Sequence, residues 1–507
     1  MASTRAPLAH GPIALVAAAK LALHLLLANR YGYFRDELYF LDCGRHLDWG
    51  YVDHAPMIGL LARIALLLGA SLPVLRGIAA LAGTALVVLA ALIARRFGGG
   101  GFAQSLAALA VVAAPIYLGL SSLFTMNVFE PLFWMGAVLA VLRALETDAE
   151  RDWIVLGVLL GLGLMNKHST AFFAIALAAG LLLSPQRRVV LRPGPWLAVT
   201  AAALVFAPNL VWQATHGFPT LEDLRNVARS GKNVVLGPVE FLAQQVLLVH
   251  PVLFPLWLLG LARLLRSRDV GRRALGLAFI VFFLLLFFLK AKSYYLAPIY
   301  PMLLAAGASS LEWWTSGRRG GLVRAATIAV VLLGGAATAP IATPLLDPEH
   351  LVAYERAIGI EPPKTEVAHV GPLPQMFGDQ FGWPELVEDV ARIYRALPPA
   401  ERAVATIFAN NYGEAGAINL LGPALGLPRA ISGHQTHFFW GPQGRKGDVV
   451  IVLQSDRADL ESVCATVEKG GEHFHPWGMA EENEPIYVCR GLHPPFEELW
   501  PRLKHWN

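Results

Sequence analysis

Asp36 and Glu37 lie side by side a few residues after the chain's first apolar run, preceded by Arg35 and set among Tyr31, Tyr33, Phe34, Tyr39 and Phe40. The same stretch, YGYFRDELYFLDCGRHLDWGYVDHAP over 31–56, continues through Asp42 and Asp48 to Asp53 and His54, just before a proline and an amphipathic run. Ionisable side chains at a membrane boundary are costly and are functional hypotheses by default. Separated carboxylates and a histidine on one loop offer a base for proton transfer. They also raise the question of a divalent metal, although no tight ligand spacing such as HExxH is present. The competing reading of Asp36 is structural: Asp is a favoured N-cap, and a helix over ELYFLDCGRHL would start beside it.

A second group is basic. Lys167 and His168 fall in MNKHSTAF, and Lys290, Lys292, Tyr294 and Tyr295 in KAKSYYLAPIYP. Lysines at span ends can snorkel to headgroups, but isolated cations at the mouth of a helix bundle also suit a phosphate, which Lys binds as a point charge. Asn127 and Glu130 in SSLFTMNVFEPLFW are one helical turn apart at the end of a span, and the apolar helix that follows Pro131 turns the Glu130 carboxylate towards protein or a cavity. Acid on a loop, cations for phosphate and an apolar bundle together suit an enzyme with a lipid-phosphate donor, whose reacting bond lies at headgroup level.

The elements that must position these groups are membrane spans. Of the 507 residues 55% are hydrophobic and 15% charged, with a mean hydropathy of +0.50, against about 25% charged in soluble domains. Runs near 11–28, 73–94, 102–118, 129–145, 153–166, 168–184, 195–212, 240–263, 274–289, 294–311 and 322–340 approach the length that crosses a bilayer core of about 30 Å, so about eleven spans are expected of this α-helical polytopic membrane protein. With the N-terminus in the cytoplasm, every arginine cluster falls inside: Arg95/Arg96, Arg143/Arg151, the group from Arg187, the group from Arg263, and Arg318/Arg319/Arg324. The 29–72 loop and everything after about residue 341 then face outward. No small-residue cleavage site follows the first run, which reads as an uncleaved span. The net charge of +4 is spread in short clusters, which argues against nucleic acid as a partner.

After Pro340 the chain turns polar and Pro-rich. The spacing in PELVEDVARIYRAL predicts a helix, and AVATIFA, DVVIVLQ and PIYVCR predict buried strands. The expected organisation is a transmembrane domain over 1–340, with the catalytic outer loop 29–72, and an extracytoplasmic α/β domain over 341–507. Cys464 and Cys489 both lie in that second domain, where either a disulfide or two buried thiols would be tolerated.

Asp-Glu directly after the first span, a later DW and then YVDHAP, together with NKHSTAFF and KSYYLAPIYPMLLAAGA, resemble glycosyltransferase family 39, the group of protein O-mannosyltransferases and lipid A aminoarabinose transferases with the GT-C membrane fold. The resemblance runs through most of 11–312. It implies Asp36 as the catalytic base with Glu37 as its partner. Asp53 and His54 stand where relatives tend to have Glu-Lys, and Asn127 and Glu130 stand near the place of a Thr-Asp. The expectation is an inverting glycosyltransferase at the cell membrane that takes a sugar from a polyprenyl-phosphate donor, in contact with membrane lipids, to a lipid, glycan or protein acceptor on the outer face. Lys167, Lys290 and Lys292 would hold the departing phosphate, with Asp53, His54, Asn127, Glu130, His168, Tyr294 and Tyr295 completing the substrate-binding residues. General-base chemistry needs no cofactor, and a divalent metal is the alternative. The rival reading is a transporter or flippase, which predicts repeated halves and midplane charges; no repeat is visible in the sequence.

Overall fold

The computed structural model describes residues 6–185, 187–317, 320–359, 366–367 and 371–506. Arg318 and Arg319 of the orientation count lie outside the described residues. The chain forms two compact units that do not follow sequence order. The first comprises Met1–Ala28, Pro73–Val211 and Val235–Leu346, and the second Asn29–Leu72, Trp212–Val234 and Asp347–Asn507.

The first unit is helical. Six helices of the described chain are long and apolar enough to cross a membrane: His10–Leu27, Leu72–Arg96, Met126–Thr147, Pro193–Thr215, Val270–Phe288 and Gly320–Ala342. Two bent pairs bring the total to eight if each is one span. Gly101–Ala113 and Pro115–Ser121 meet at 67°, where Pro115 has no N–H to continue the preceding helix. Pro238–Val249 and Pro251–Leu265 meet at 93° across His250, whose φ is +98°. The expected 153–166 and 168–184 spans are the shorter helices Glu150–Asn166 and Thr170–Leu183, and the 294–311 run divides into a 3-10 turn, Ser293–Ile299, and a helix, Tyr300–Trp314. Apolarity predicted these segments, but the break at Lys167–Ser169 keeps the first two below span length, and Pro298 and Pro301 lie at the junction that divides the third. The Phe254–Leu265 and Tyr300–Trp314 helices touch backbone to backbone: a Cβ on Gly260 would sit 1.9 Å from the Leu303 carbonyl oxygen, and one on Gly307 2.0 Å from that of Leu256.

The second unit contains a five-stranded sheet built from β1 (Ala405–Ala409), β2 (Ala430–Ile431), β3 (Val449–Leu453), β4 (Cys464–Glu472) and β5 (Pro485–Leu492), in the order β2-β1-β3-β5-β4. β1 runs parallel to β2 and β3, while β5 is antiparallel to β3 and β4. β1 and β3 are buried at every position, as unbroken apolar strands covered on both faces should be. β4 escaped the sequence reading because it is a polar edge strand, with Glu468, Lys469 and Glu472 discouraging further pairing. The predicted helix is Trp383–Ala396. A disulfide joins Cys464 and Cys489.

The 29–72 segment, assigned from sequence to the membrane domain, packs in this second unit. Its helix Arg35–Arg45 buries Leu38 and Leu41 completely. Helix Tyr412–Leu421 lies so close that a Cβ on Gly416 would stand 2.8 Å from the Leu38 carbonyl. An apolar face on a short loop helix needs a cover, and here the C-terminal residues supply it.

Candidate functional site

In the second unit Asp36 occupies the first turn of the Arg35–Arg45 helix, and the N-cap is Phe34. The capping is done by Glu37, whose carboxylate accepts from the Phe34 N–H at 2.9 Å. The helix-cap reading therefore belongs to Glu37, which is fully buried. Asp36 is instead held from the side: the Tyr412 hydroxyl donates to its Oδ1 at 2.8 Å, and Oδ2 makes no hydrogen bond among the described residues. The neighbouring Arg35 is clamped by Glu481 at 2.8 Å, Asp379 at 3.5 Å and Glu366 at 3.7 Å, fixing the start of the helix.

Asp53 repeats the arrangement. Its Oδ1 accepts from the Tyr39 hydroxyl at 2.7 Å, and the same hydroxyl meets Thr436 Oγ1 at 2.7 Å. The rings of Tyr39 and Tyr412 lie 4.8 Å apart. Two carboxyls are thus each tethered by a tyrosine on adjacent rings. Burial pushes Asp36 above the usual carboxylate range, opposed by the Arg35 charge and the Tyr412 hydrogen bond. Burial pushes Asp53 up to about 7, with the Tyr39 hydrogen bond opposing and the Asp36 charge adding to the rise. Asp223, on helix Pro219–Ser230, is pushed up to about 6 by burial and by Asp53, and Gln435 donates to it at 3.0 Å. Lys232 bears electrostatically on all of Asp36, Asp53 and Asp223.

His54 does not share the exposure of its neighbour. The Asp53 side chain is 24% exposed, whereas that of His54 is fully buried. His54 stands among the rings of Tyr39, Phe40 and Tyr51, with Nδ1 on the Ala55 carbonyl at 2.9 Å. Burial lowers its pKa to about 4, so the imidazole is neutral at pH 7. Asp42 is a tie within the unit: Asn419 at 2.7 Å and His437 at 3.1 Å reach one oxygen, and Arg45 at 2.5 Å reaches the other. Burial raises its pKa, but these partners outweigh burial and hold the carboxyl below its ordinary range.

The first unit brings together a different set. Lys167, in extended conformation at the end of the Glu150–Asn166 helix, donates to Asn127 Oδ1 at 2.7 Å and reaches Glu130 Oε2 at 3.5 Å. The 3.6-residue period of the Met126–Thr147 helix puts Asn127 and Glu130 on one face. Ser169 donates to the other Glu130 oxygen. The Lys167 ammonium lies 4.5 Å from the Tyr295 ring centroid and 5.9 Å from that of Tyr294, inside cation–π range. Four sequence-predicted residues, Asn127, Glu130, Tyr294 and Tyr295, thus converge on Lys167. His168 is engaged with Asn209 at 3.1 Å. Lys290 is exposed, with a φ of +51°, and Lys292 immediately precedes the 3-10 turn.

Sequence reading missed Tyr412, Thr436, Asp223, Gln435 and Lys232. Asp223 carried a faint signal, an acid between Leu221 and Leu224, but only the fold shows that this helix buries its acid and exposes those leucines. Among the described residues, no group of three His, Cys, Asp or Glu side chains is arranged to hold a metal ion.

The family model described as dolichyl-phosphate-mannose-protein mannosyltransferase matches residues 53–212, a range that contains Asp53, Asn127, Glu130 and Lys167. A lipid A galacturonosyltransferase of Rhizobium johnstonii is 28% identical over 245 residues, 47% of this chain and 51% of that protein. The match thus spans about half the length of this curated relative. Among solved structures, ArnT from Cupriavidus metallidurans bound to undecaprenyl phosphate is matched with a TM-score of 0.60 at 14% identity, over 94% of this chain and 97% of that one. Its apo form gives 0.62 at 14% identity, over 95% and 98%. An Archaeoglobus fulgidus oligosaccharyltransferase gives 0.51 at 13% identity, over 80% and 63%. The fold is that of the GT-C membrane glycosyltransferases, a multi-pass helical bundle with a sheet-containing region. The family-model match and the curated relative agree with the resemblance to glycosyltransferase family 39 seen in the sequence.

Proposed function

We propose that this protein is an inverting glycosyltransferase that moves a sugar from a polyprenyl-phosphate donor to a lipid acceptor on the outer face of the membrane, with Asp36 as general base. The observation that carries the reading is Asp36 itself: one oxygen is fixed by Tyr412, the other makes no hydrogen bond among the described residues, and burial keeps its basicity above that of an ordinary carboxylate. Asp36 takes the proton of the acceptor hydroxyl as that oxygen attacks the anomeric carbon. The bond from that carbon to the phosphate oxygen breaks on the opposite side, and the electron pair leaves with the polyprenyl phosphate, so the configuration inverts.

Lys167 serves the leaving group. Its ammonium has three N–H donors. Asn127 and Glu130 account for two, which leaves one for a phosphate oxygen, and charge developing there is stabilised by a fixed donor. A lipid acceptor is favoured by the similarity to a lipid A galacturonosyltransferase, and a polyprenyl-phosphate donor by the likeness in fold to ArnT bound to undecaprenyl phosphate. The transporter alternative has no observation of its own beyond broken helices and intramembrane charge.

The test is incubation of the purified protein with a panel of polyprenyl-phosphate sugars and lipid acceptors, with and without chelator, followed by mass spectrometry. The expected product is acceptor plus one sugar, with free polyprenyl phosphate released in equal amount. Absence of transfer across the panel, with sugar movement in proteoliposomes, would return the transporter reading.

A further inference from the structure

Lys20 lies in the middle of the His10–Leu27 span and is completely buried. Such a residue is expensive in a bundle and is expected to do something specific. Among the described residues it forms no ion pair with a carboxylate. Its ammonium instead contacts His24 Nε2 at 3.2 Å and donates to the Tyr117 carbonyl at 3.1 Å. Ser122 Oγ stands 3.4 Å from His24 Nδ1, and Ser121 also donates to the Tyr117 carbonyl, at 2.6 Å.

Tyr117 belongs to Pro115–Ser121, the short second half of a broken span. A half-helix of this length has little intrinsic stability, so its placement depends on contacts from outside, and Lys20 supplies one. The other end of Tyr117 points at the donor site. Its hydroxyl, in a residue 1% exposed, donates at 2.7 Å to the carbonyl of Ala297. Ala297 is in the Ser293–Ile299 turn, which carries the Tyr294 and Tyr295 rings against Lys167. The opposite end of this turn is held in the same manner, with Gln245 donating to the Ser293 carbonyl at 3.2 Å. Both fixings are side-chain hydrogen bonds to backbone carbonyls in an apolar interior, where such bonds are strong; the Ala297 carbonyl also accepts from the Tyr300 N–H, and the Ser293 hydroxyl also donates to Gln244.

We infer that Lys20 and Tyr117 are positioning residues for the polyprenyl-phosphate site: Lys20 sets the half-helix, Tyr117 sets the Ser293–Ile299 turn, and the turn sets the aromatic wall against which the Lys167 ammonium is aimed. This rests on the reading of Lys167 as the phosphate ligand. Neither residue touches the donor, so both act through Lys167 and its tyrosines.

The experiment measures binding of undecaprenyl phosphate to the full chain in detergent, for wild type, Tyr117→Phe, Lys167→Ala and the double variant, each checked for its melting temperature. Lys167→Ala should weaken binding about tenfold or more, as loss of a charge-assisted bond does. Tyr117→Phe, which removes a single hydroxyl, should weaken it about three- to tenfold, and should add nothing in the Lys167→Ala background. Ser310→Ala, which removes a buried hydroxyl that donates to the Ala306 carbonyl of its own helix, should bind as wild type. If Tyr117→Phe fails to fold, Lys20→Met takes its place, since it removes the donor to Tyr117 while filling similar volume. Full-strength binding by folded Tyr117→Phe, or an equal loss in both backgrounds, overturns the inference while the donor reading stands. Wild-type binding by Lys167→Ala overturns both.

Discussion

Asp36→Asn separates chemistry from folding. The amide keeps the shape of the side chain, and its oxygen can still accept the Tyr412 hydroxyl that now reaches Oδ1 at 2.8 Å. It removes only the basic site, so turnover should fall about 10²–10⁴-fold, the usual worth of a positioned general base, with donor binding unchanged. The structure removes the competing explanation of such a loss, because the helix is capped by Glu37 and Asp36 is interior to its first turn. The expected effect on stability also has a definite sign. Burial holds the folded pKa of Asp36 above its unfolded value, so the ionised carboxylate costs folding free energy once pH passes the ordinary carboxylate range. The amide lacks that cost. Asp36→Asn should therefore melt at or above the wild-type temperature near pH 7. In wild type the rate should rise with pH through a midpoint above the usual carboxylate range. Steady-state transfer rates, a titration of the donor and melting curves on one detergent preparation make the comparison, with the exposed Asp48→Asn as the unchanged control. Near wild-type turnover by folded Asp36→Asn would refute the base assignment and send the search to Asp53.

Asp42→Asn should behave in the opposite way, losing about 3–5 kcal/mol of stability, because Arg45, Asn419 and His437 all converge on that buried carboxylate; a melting temperature equal to wild type would contradict this. Asp53 holds its proton up to about pH 7 in the folded chain against 3.8 for a free carboxyl, so wild-type stability should fall as pH rises between these values, by at most about 4 kcal/mol, and Asp53→Asn should flatten that dependence in melting curves taken from pH 4 to 8. Non-reduced digests should yield the linked Cys464–Cys489 peptide, and quantitative alkylation of both without reductant would count against the bridge. A reporter active only in the cytoplasm, fused after residue 507, should be silent; activity would reverse the proposed orientation.

The sequence by itself determined the kind of solvent this chain lives in and which side chains it offers for chemistry. Apolar runs of membrane-crossing length, short arginine clusters between them and the buried strands of the C-terminal region follow from composition and period, which are local properties. Asn127 and Glu130 were legible as a pair because helical spacing fixes one face, and NKHS and KAKSYY were legible as cations out of place. What the sequence left undecided depends on contacts between residues far apart in the chain. That Tyr412 holds Asp36, 376 residues away, that Glu37 rather than Asp36 caps the helix, and that His54 turns inward while Asp53 stays accessible are settled by which side chains the packed core excludes from water. The 29–72 loop looked like an appendage of the membrane domain because its neighbours in sequence are spans. It belongs to the other unit because the apolar face of its helix is buried only when helix Tyr412–Leu421 covers it. Burial also sets the pKa of Asp36 and Asp53, and desolvation is a property of the folded surroundings that no residue carries in its own name.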